Sequence, residues 1–432
     1  SFWVADPNLS LEATFSRREY IEQTPSLFSL FLKKYLELFS YDPEIGRHVP
    51  LFFGVLSIPF LGILSYQVAK NNSFLLTILL ISINIYLIKY SQETRPYTLV
   101  FLLSNINLIL YYKIISSNLI GFKRIYVFFL FVIFSVLSLS SHPFVFIIFF
   151  SQIAYSIYSF FIFKNKNSLF LLSIPFILII YLIINYNYLI SQLAYNEYFL
   201  AHENWKFYYN YYFSRFFGSK IMGLIYLSTL IFLIIRFRKK ILFTSNNYLP
   251  LIFILFFSYI IPLFYALLKT PVLTDRYIIF VLIPILILIS ALIFEIDNRK
   301  LKIFLLIFIL VPTIINNYIE IKFRKNTKPE FTKLLSNLEK HETKDLTLYT
   351  SMETYTEIVE NYILSVKEFK NKNFNFFNIN NLPSDIKVFW VICYEPLVGF
   401  NCTIPSDKKV SWNLVKTKKK YLINAKLFKI KN

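Results

Sequence analysis

Residues 74–112 read FLLTILLISINIYLIKYSQETRPYTLVFLLSNINLILYY, and the middle of it, Ser91-Gln92-Glu93-Thr94-Arg95-Pro96-Tyr97, decides how the rest is read. On either side, 74–90 and 98–112 are almost entirely Leu, Ile, Val, Phe, Tyr, Ser and Asn. Runs of that length and character are what a helix needs to cross a bilayer. A carboxylate, a guanidinium and a proline between two spans are costly to place, and ionisable groups at a membrane boundary mark candidate functional sites. The bland alternative is a turn whose charges sit in interfacial water.

The same pattern recurs along three-quarters of the chain. Mean hydropathy is +0.53 and the apolar fraction 56%, above an ordinary soluble domain. Candidate spans fall near 50–69, 74–90, 96–112, 125–140, 144–162, 168–187, 221–236, 248–267, 277–295 and 303–318. The runs are continuous rather than alternating, which argues for helices and against a barrel.

The 49 Phe and 32 Tyr stand beside abundant Ile, Lys and Asn and only 7 Gly. Those are the residues an AT-rich genome encodes. Most aromatics are therefore read as lipid-facing or packing residues, not as a sugar-stacking code. The same bias inflates Lys, so the net charge of +20 is weak grounds for an acidic partner. No stretch joins a basic face to a nucleic-acid-reading module, so nucleic acid is not an expected partner.

Lys and Arg divide the loops into two sets. One set holds Lys70, Lys113, Lys123, Arg124, Lys164, Lys166, Arg236, Arg238, Lys239, Lys240, Arg299, Lys300 and Lys302. These are the expected cytoplasmic loops. The poorer set places the N-terminal segment, the Glu93–Arg95 loop, His142, the 190–220 loop and Asp275-Arg276 together on the outer face. The expected organisation has three parts. Residues 1–48 form an outer segment with amphipathic helices, one after Asn8-Leu9-Ser10 and one opened by Thr24-Pro25-Ser26. In the second, Leu27, Leu30, Phe31 and Leu36 take one face and Lys33, Lys34 and Glu37 the other. Residues 49–319 form an α-helical, polytopic membrane domain of about ten helices. Residues 320–432 form a small α/β domain, with helices at Pro329–His341 and Glu353–Leu364 and strands at Leu346–Thr350, Lys387–Tyr394 and Ala425–Ile430. Cys393 and Cys402, the only cysteines, fall in this outer part, where they can close a disulfide or remain two buried thiols. There is no Cys/His cluster for zinc. The sequence begins with Ser1 rather than Met and shows no visible signal peptide, so further residues are expected upstream.

Four patterns occur in an order that resembles the polyprenol-dependent membrane glycosyltransferases of the GT-C fold, the bacterial relatives of the protein O-mannosyltransferase and aminoarabinose-transferase group. The first is Gln23-Thr24-Pro25-Ser26-Leu27-Phe28, followed by Phe39-Ser40-Tyr41-Asp42 and Gly46-Arg47-His48-Val49-Pro50. The second and most specific is Ser91–Tyr97, close to the family's S-Q-E-A-R-P-Y. The third is Ser140-Ser141-His142-Pro143, and the fourth is Asp275-Arg276-Tyr277 ahead of a span with Pro284. Together they cover about residues 1–295; the tail matches only in its place as an outer C-terminal domain. One departure stands out. The family carries an acidic pair, usually Asp-Glu, on the first outer loop. Here the nearest candidate is Asp6, with no Glu beside it. Either Asp6 stands in for that residue, or the pair lies upstream of Ser1, or Asp6 caps a helix near Pro7.

The resemblance implies a sugar transferase acting on the outer face of a bacterial inner membrane, multi-pass, with a polyprenyl-phosphate-linked sugar as donor and a glycan, lipid or protein as acceptor. Such chemistry needs a base for the acceptor hydroxyl and cations for the charge that develops on the phosphate. Asp6 is the candidate base. Arg95 and Arg276, with Arg47 behind them, are the candidate phosphate ligands, since the guanidinium fork matches phosphate oxygens and stays charged. Glu93, Tyr97, His142, Asp275 and Tyr277 complete the candidate donor site. The competing reading of Glu93–Arg95 and Asp275–Arg276 is a pair of interfacial ion pairs; His142 beside Pro143 also suits a helix cap. His202 and Glu203 lie in the aromatic-rich 190–220 loop. No cofactor is required by these residues, and a divalent metal stays open. The alternatives are a lipid-linked-sugar flippase and a non-catalytic relative. A flippase calls for charges near the bilayer midplane and repeat symmetry, whereas the spans 125–140, 144–162 and 168–187 hold no acidic or basic residue.

Overall fold

The computed structural model describes residues 2–21, 27–116, 121–164, 167, 171, 173–186, 213–241, 247–268, 274–323, 330–338, 346–350, 360–361, 365–366, 374–382, 386–394, 402 and 412–430. Most of the expected helix at 353–364, most of the 190–220 loop with His202 and Glu203, and the Gln23–Ser26 part of the first motif fall outside them. The chain divides into two compact units, Ser1–Phe39 with Glu44–Lys322, and Ser40–Pro43 with Phe323–Asn432.

The first unit opens with α1 (Leu11–Ile21), α2 (Leu27–Leu38) and the single turn α3 (Pro43–Gly46). Ser10 Oγ accepts from Ala13 N and starts α1, as a helix N-cap does. In α2 the buried residues are Phe28, Ser29, Leu32, Lys33 and Leu36, while Phe31 is 47% exposed. This corrects the expected faces: Lys33 belongs to the packed side and Phe31 to the open side.

The long apolar helices follow: α4 (His48–Ala69), α5 (Ser73–Ser82), α6 (Ile85–Ser91), α7 (Tyr97–Ser116), α8 (Phe122–Leu139) and α9 (Phe146–Phe163). After these come the shorter α10 (Ile174–Ile184) and α11 (Phe213–Phe216), then α12 (Lys220–Arg236), α13 (Leu249–Leu268), α14 (Leu282–Phe294) and α15 (Arg299–Phe323). Among the described residues seven helices are long and apolar enough to cross a membrane, or eight with the bent pair α5–α6 counted as one span. The chain is a multi-pass membrane protein.

Small residues set the packing. An added Cβ on Gly62 of α4 would lie 2.6 Å from Ile78 Cδ1 of α5, and Ser65 Oγ sits 2.8 Å from Thr77 Oγ1. Close approach over Gly and Ser, with hydroxyls paired across, is how helices associate where the solvent is as apolar as the side chains. α14 is the central helix: every residue from Leu282 to Ile293 is buried. The α7 helix is nearly as enclosed, whereas α8, α13 and α15 keep one apolar side open. Deeper in the bundle, Gln152 Nε2 donates to Asn107 Oδ1 at 2.6 Å and Asn107 Nδ2 to Ser135 Oγ at 3.0 Å, joining α7, α8 and α9.

The run 74–90 is not one straight span. It bends by 54° between α5 and α6. Asn84 caps the second half through Leu87 N at 2.9 Å and donates to Phe216 O at 3.1 Å. Asn317 of α15 donates to the freed Ile83 carbonyl, and Asn316 to Phe217 O at 3.2 Å. Broken backbone at this depth is tolerated because protein groups satisfy it.

The second unit is a five-stranded sheet with α16 (Phe331–Leu338) on one face. Its strands are β1 (Leu346–Thr350), β2 (Phe374–Asn378), β3 (Val388–Tyr394), β4 (Trp412–Lys420) and β5 (Ile423–Ile430), in the order β2-β1-β3-β5-β4. β1 pairs in parallel with β2 and β3, and β5 runs antiparallel to β3 and β4. Trp390 and Ile392 face the leucines of α16, while Phe389, Val391 and Cys393 point to the other side. Burial on both faces explains why β3 reads as an unbroken apolar run. Cys393 and Cys402 are joined in a disulfide with Cα atoms 5.2 Å apart. β4 is an edge strand carrying Lys416, Lys418, Lys419 and Lys420, residues that discourage further strand pairing.

Candidate functional site

The second and fourth sequence patterns meet at one end of the helical unit. Pro96 ends the turn after α6 and lets α7 begin at Tyr97. Opposite it, Asp275–Val281 forms a tight 3-10 turn before α14, with a kink at Ile278 (φ −113°, ψ 32°). That turn carries Asp275, Arg276 and Tyr277 in at the mouth of the central helix.

Tyr97 is buried, with 3% exposure, and the Arg95 and Arg276 guanidinium groups both lie close enough to act on its hydroxyl. Tyr90, 4% exposed, lies within electrostatic reach of the Asp275 and Glu93 carboxylates. Two cations and two anions therefore lie within electrostatic reach of two buried phenols. Arg276 Cζ is 5.6 Å from the Tyr277 ring centre. Its Nε is buried with no hydrogen-bond acceptor among the described residues. Arg95 is exposed, while Glu93, Asp275 and Arg276 are half-buried.

A chain of aromatic contacts runs beneath these charges. Phe216 lies 4.8 Å from Tyr86, Tyr86 4.6 Å from Tyr90, Tyr90 5.1 Å from Tyr97, and His142 4.9 Å from Tyr277. The three edge-to-face pairs from Phe216 to Tyr97 add to the apolar burial. Tyr86 and Tyr90 were hidden in the sequence by the general excess of aromatics. Their i, i+4 spacing on the turn before the motif was the available signal.

His142 caps a 3-10 turn (Pro143–Val145) at the start of α9, with Nδ1 accepting from Phe144 N at 3.2 Å. Its ring is 2% exposed. Burial first, and the Arg276 charge second, push the imidazole down to about 3. At neutral pH it is an uncharged ring that caps the turn.

The N-terminal strap lies on the same unit. Asp6 is buried; its Oδ1 accepts from Asn8 N at 3.0 Å, and its Oδ2 lies 3.8 Å from Arg17 Nη1. Arg17 in turn stacks over Trp3 at 4.3 Å. The cap at Asp6 is thus a local turn rather than the start of α1. Gly46 joins the strap to the charged loop: an added Cβ there would meet Phe2 Cδ2 at 3.3 Å and Thr94 Cγ2 at 3.6 Å. Arg47, next to Gly46, is exposed at the head of α4. At the far end of the unit, Lys240 pairs with Glu295 and Tyr112 donates to Asn247 O at 2.7 Å.

No family model matches the sequence, and no curated protein matches it. Solved structures do match its fold. ArnT from Cupriavidus metallidurans in the apo state aligns over 94% of this chain and 87% of its own, with a TM-score of 0.57 at 10% identity. The Archaeoglobus fulgidus oligosaccharyltransferase in complex with zinc and sulfate aligns over 85% of this chain and 59% of its own, TM-score 0.51, 11% identity. The archaeal oligosaccharyltransferase AglB from the same organism, in complex with an inhibitory peptide and a dolichol-phosphate, aligns over 85% and 61%, TM-score 0.50, 11% identity. The chain spans about three-fifths of the oligosaccharyltransferase's length. At such identities the likeness is one of fold: the chain has the GT-C fold, a helical membrane domain followed by a small sheet-containing domain. The zinc of the archaeal structure finds no counterpart donor set here, since no three His, Cys, Asp or Glu gather among the described residues.

Proposed function

We propose that the protein is a lipid-linked-sugar glycosyltransferase. The observation that carries this is the gathering of Arg95 and Arg276 with Glu93 and Asp275 around the buried Tyr90 and Tyr97 at one end of a GT-C bundle. The donor is a monosaccharide on a polyprenyl phosphate and the acceptor a glycan, lipid or protein hydroxyl, with the site on the outer face of a bacterial inner membrane. The acceptor oxygen attacks the anomeric carbon, the bond from that carbon to the phosphate oxygen breaks, and the anomeric configuration inverts. The hydroxyl proton passes to the Asp6 carboxylate, and the polyprenyl phosphate leaves with the bonding pair. Arg276 and Arg95 stabilise the charge gathering on that phosphate, Arg276 more strongly because it is partly withdrawn from water. Glu93 and Asp275 orient the two arginines, and the Tyr97 and Tyr277 hydroxyls add donors.

The test is sugar transfer in membranes bearing the protein, following the radiolabelled polyprenyl-phosphate-sugar pool for wild type, Arg95→Ala and Glu93→Gln at matched expression. Consumption of the pool by wild type and its accumulation in both variants supports the reading. Equal consumption by all three makes the loop structural, and movement of the lipid across the bilayer without transfer makes the protein a flippase.

A further inference from the structure

Among the described residues the mechanism leaves the buried cations Arg18 and Lys33 unused, and Lys33 is the more enclosed of the two. Lys33 is 4% exposed, on the packed face of α2. Its Nζ donates to three backbone carbonyls of the N-terminal strap: Asp6 O at 2.6 Å, Pro7 O at 3.2 Å and Leu9 O at 2.7 Å. An ammonium has three protons, and each has an acceptor here. The Glu37 carboxylate, 3.8 Å away, supplies a nearby counter-charge.

A lysine buried only to hold a loop is an expensive device. Desolvating an ammonium costs several kcal/mol unless hydrogen bonds and charge replace the water, and a leucine would pack the same face of α2. The three carbonyls do replace it, and in doing so they fix the backbone at Asp6 and just after it. Asn8 N, which the Asp6 side chain accepts from, lies inside the clamped stretch. The clamp therefore sets where the carboxylate points, while Arg17 bears on it from α1.

We infer that Lys33 is the positioning residue for Asp6: its ammonium locks the Asp6, Pro7 and Leu9 carbonyls so that the carboxylate is held ready for the acceptor proton. The inference rests on the reading of Asp6 as the base. Geometry of this kind acts on the chemical step more than on binding, because a small displacement of the base slows proton removal while the donor remains held elsewhere.

The experiment uses the full chain in nanodiscs, with donor lipid extracted from the host membrane, and compares wild type, Lys33→Met, Asp6→Asn and the double variant. For Lys33→Met, kcat falls at least thirtyfold with the donor KM within threefold of wild type. Hydrogen exchange of residues 2–10 quickens at least tenfold while that of 97–112 is unchanged. The double variant is no slower than Asp6→Asn alone, since the two residues act as one unit. If Lys33→Met does not fold, Lys33→Arg must show the same kcat loss, because a planar fork does not serve three carbonyls converging on a point. A Lys33→Met kcat within threefold of wild type overturns the inference, as does a raised KM with kcat intact, which makes Lys33 a donor ligand. Asp6→Asn at full rate removes the base itself and this inference with it; a slow Asp6→Asn beside a fast Lys33→Met removes only the inference.

Discussion

The His142 and Tyr277 rings lie 4.9 Å apart, so the turn that opens α9 is packed directly on the turn that opens the central helix. The imidazole there is driven down from 6.5 to about 3 by burial and by Arg276. Its folded value is depressed, so between about 6.5 and about 3 the unfolded chain takes up a proton that the folded chain refuses. The stability this group contributes is full above about 6.5 and is lost as pH falls through that window, at roughly 1.4 kcal/mol per pH unit. Thermal unfolding in nanodiscs at pH 7.0 and 5.0 checks it: wild type loses more stability on acidification than His142→Gln. Equal losses would mean that His142 is protonated in the folded protein.

Gly54 of α4 has no room for a methyl group. A Cβ there would stand 2.2 Å from Ser91 Oγ and 3.2 Å from Ser91 Cβ, and Ser91 is held by its bond to Leu87 O at 2.8 Å. Gly54→Ala must therefore displace the residue that begins the charged loop, at a cost of about 1–3 kcal/mol. Ser91→Ala removes the nearest atom, so the double variant should recover most of that loss. A double-mutant cycle on unfolding free energy measures the coupling; additive losses would place the clash elsewhere.

Much of this was legible before the fold was seen, and the limits have physical reasons. Continuous apolar runs announce helices, Ser91–Tyr97 stood out because charge between spans is costly, and Asp275–Tyr277 stood out by its resemblance to a family motif. Their meeting around Tyr90 and Tyr97 was not legible, because no local pattern tells which helix ends are neighbours. Lys33 was assigned to the wrong face of α2 for a related reason. Amphipathic reading sends charge outward, and only the three carbonyls of the strap, distant in sequence, make burial acceptable. Nor does composition tell α14, buried on every side, from α13, which is apolar enough but open. In lipid, both environments favour the same residues.

The break in 74–90 was equally hidden, because the run contains neither Pro nor Gly. Asn84 makes it, by capping α6 through Leu87 N and reaching Phe216 O. Asn84→Leu leaves both groups without that partner and favours a straight helix. The expected loss is about 1–3 kcal/mol, with Tyr86 and Tyr90 drawn away from the site. Accessibility labelling of cysteines placed at Thr94 and Gln92 reads the movement. Unchanged labelling would show that Asn316 and Asn317 hold the bend without Asn84.

Arg276 and Arg95 carry the same charge but stand in different surroundings, which separates their roles. Arg276 is half-buried at the mouth of the central helix, between Tyr97 and Tyr277, with its Nε lacking an acceptor among the described residues. Arg95 is exposed. A charge partly removed from water acts more strongly and is screened less by salt than one at the surface. On the proposed reading, Arg276→Lys keeps the charge but loses the planar fork, and it lowers kcat by about tenfold to a hundredfold. Arg95→Lys has a smaller effect, one that shrinks further as salt is raised. Initial rates of sugar transfer at two ionic strengths, with donor held above saturation, decide it. If Arg95→Lys is the more damaging of the two, the exposed arginine is the one that meets the phosphate, and Arg276 serves to hold Tyr97 and Tyr277 in place.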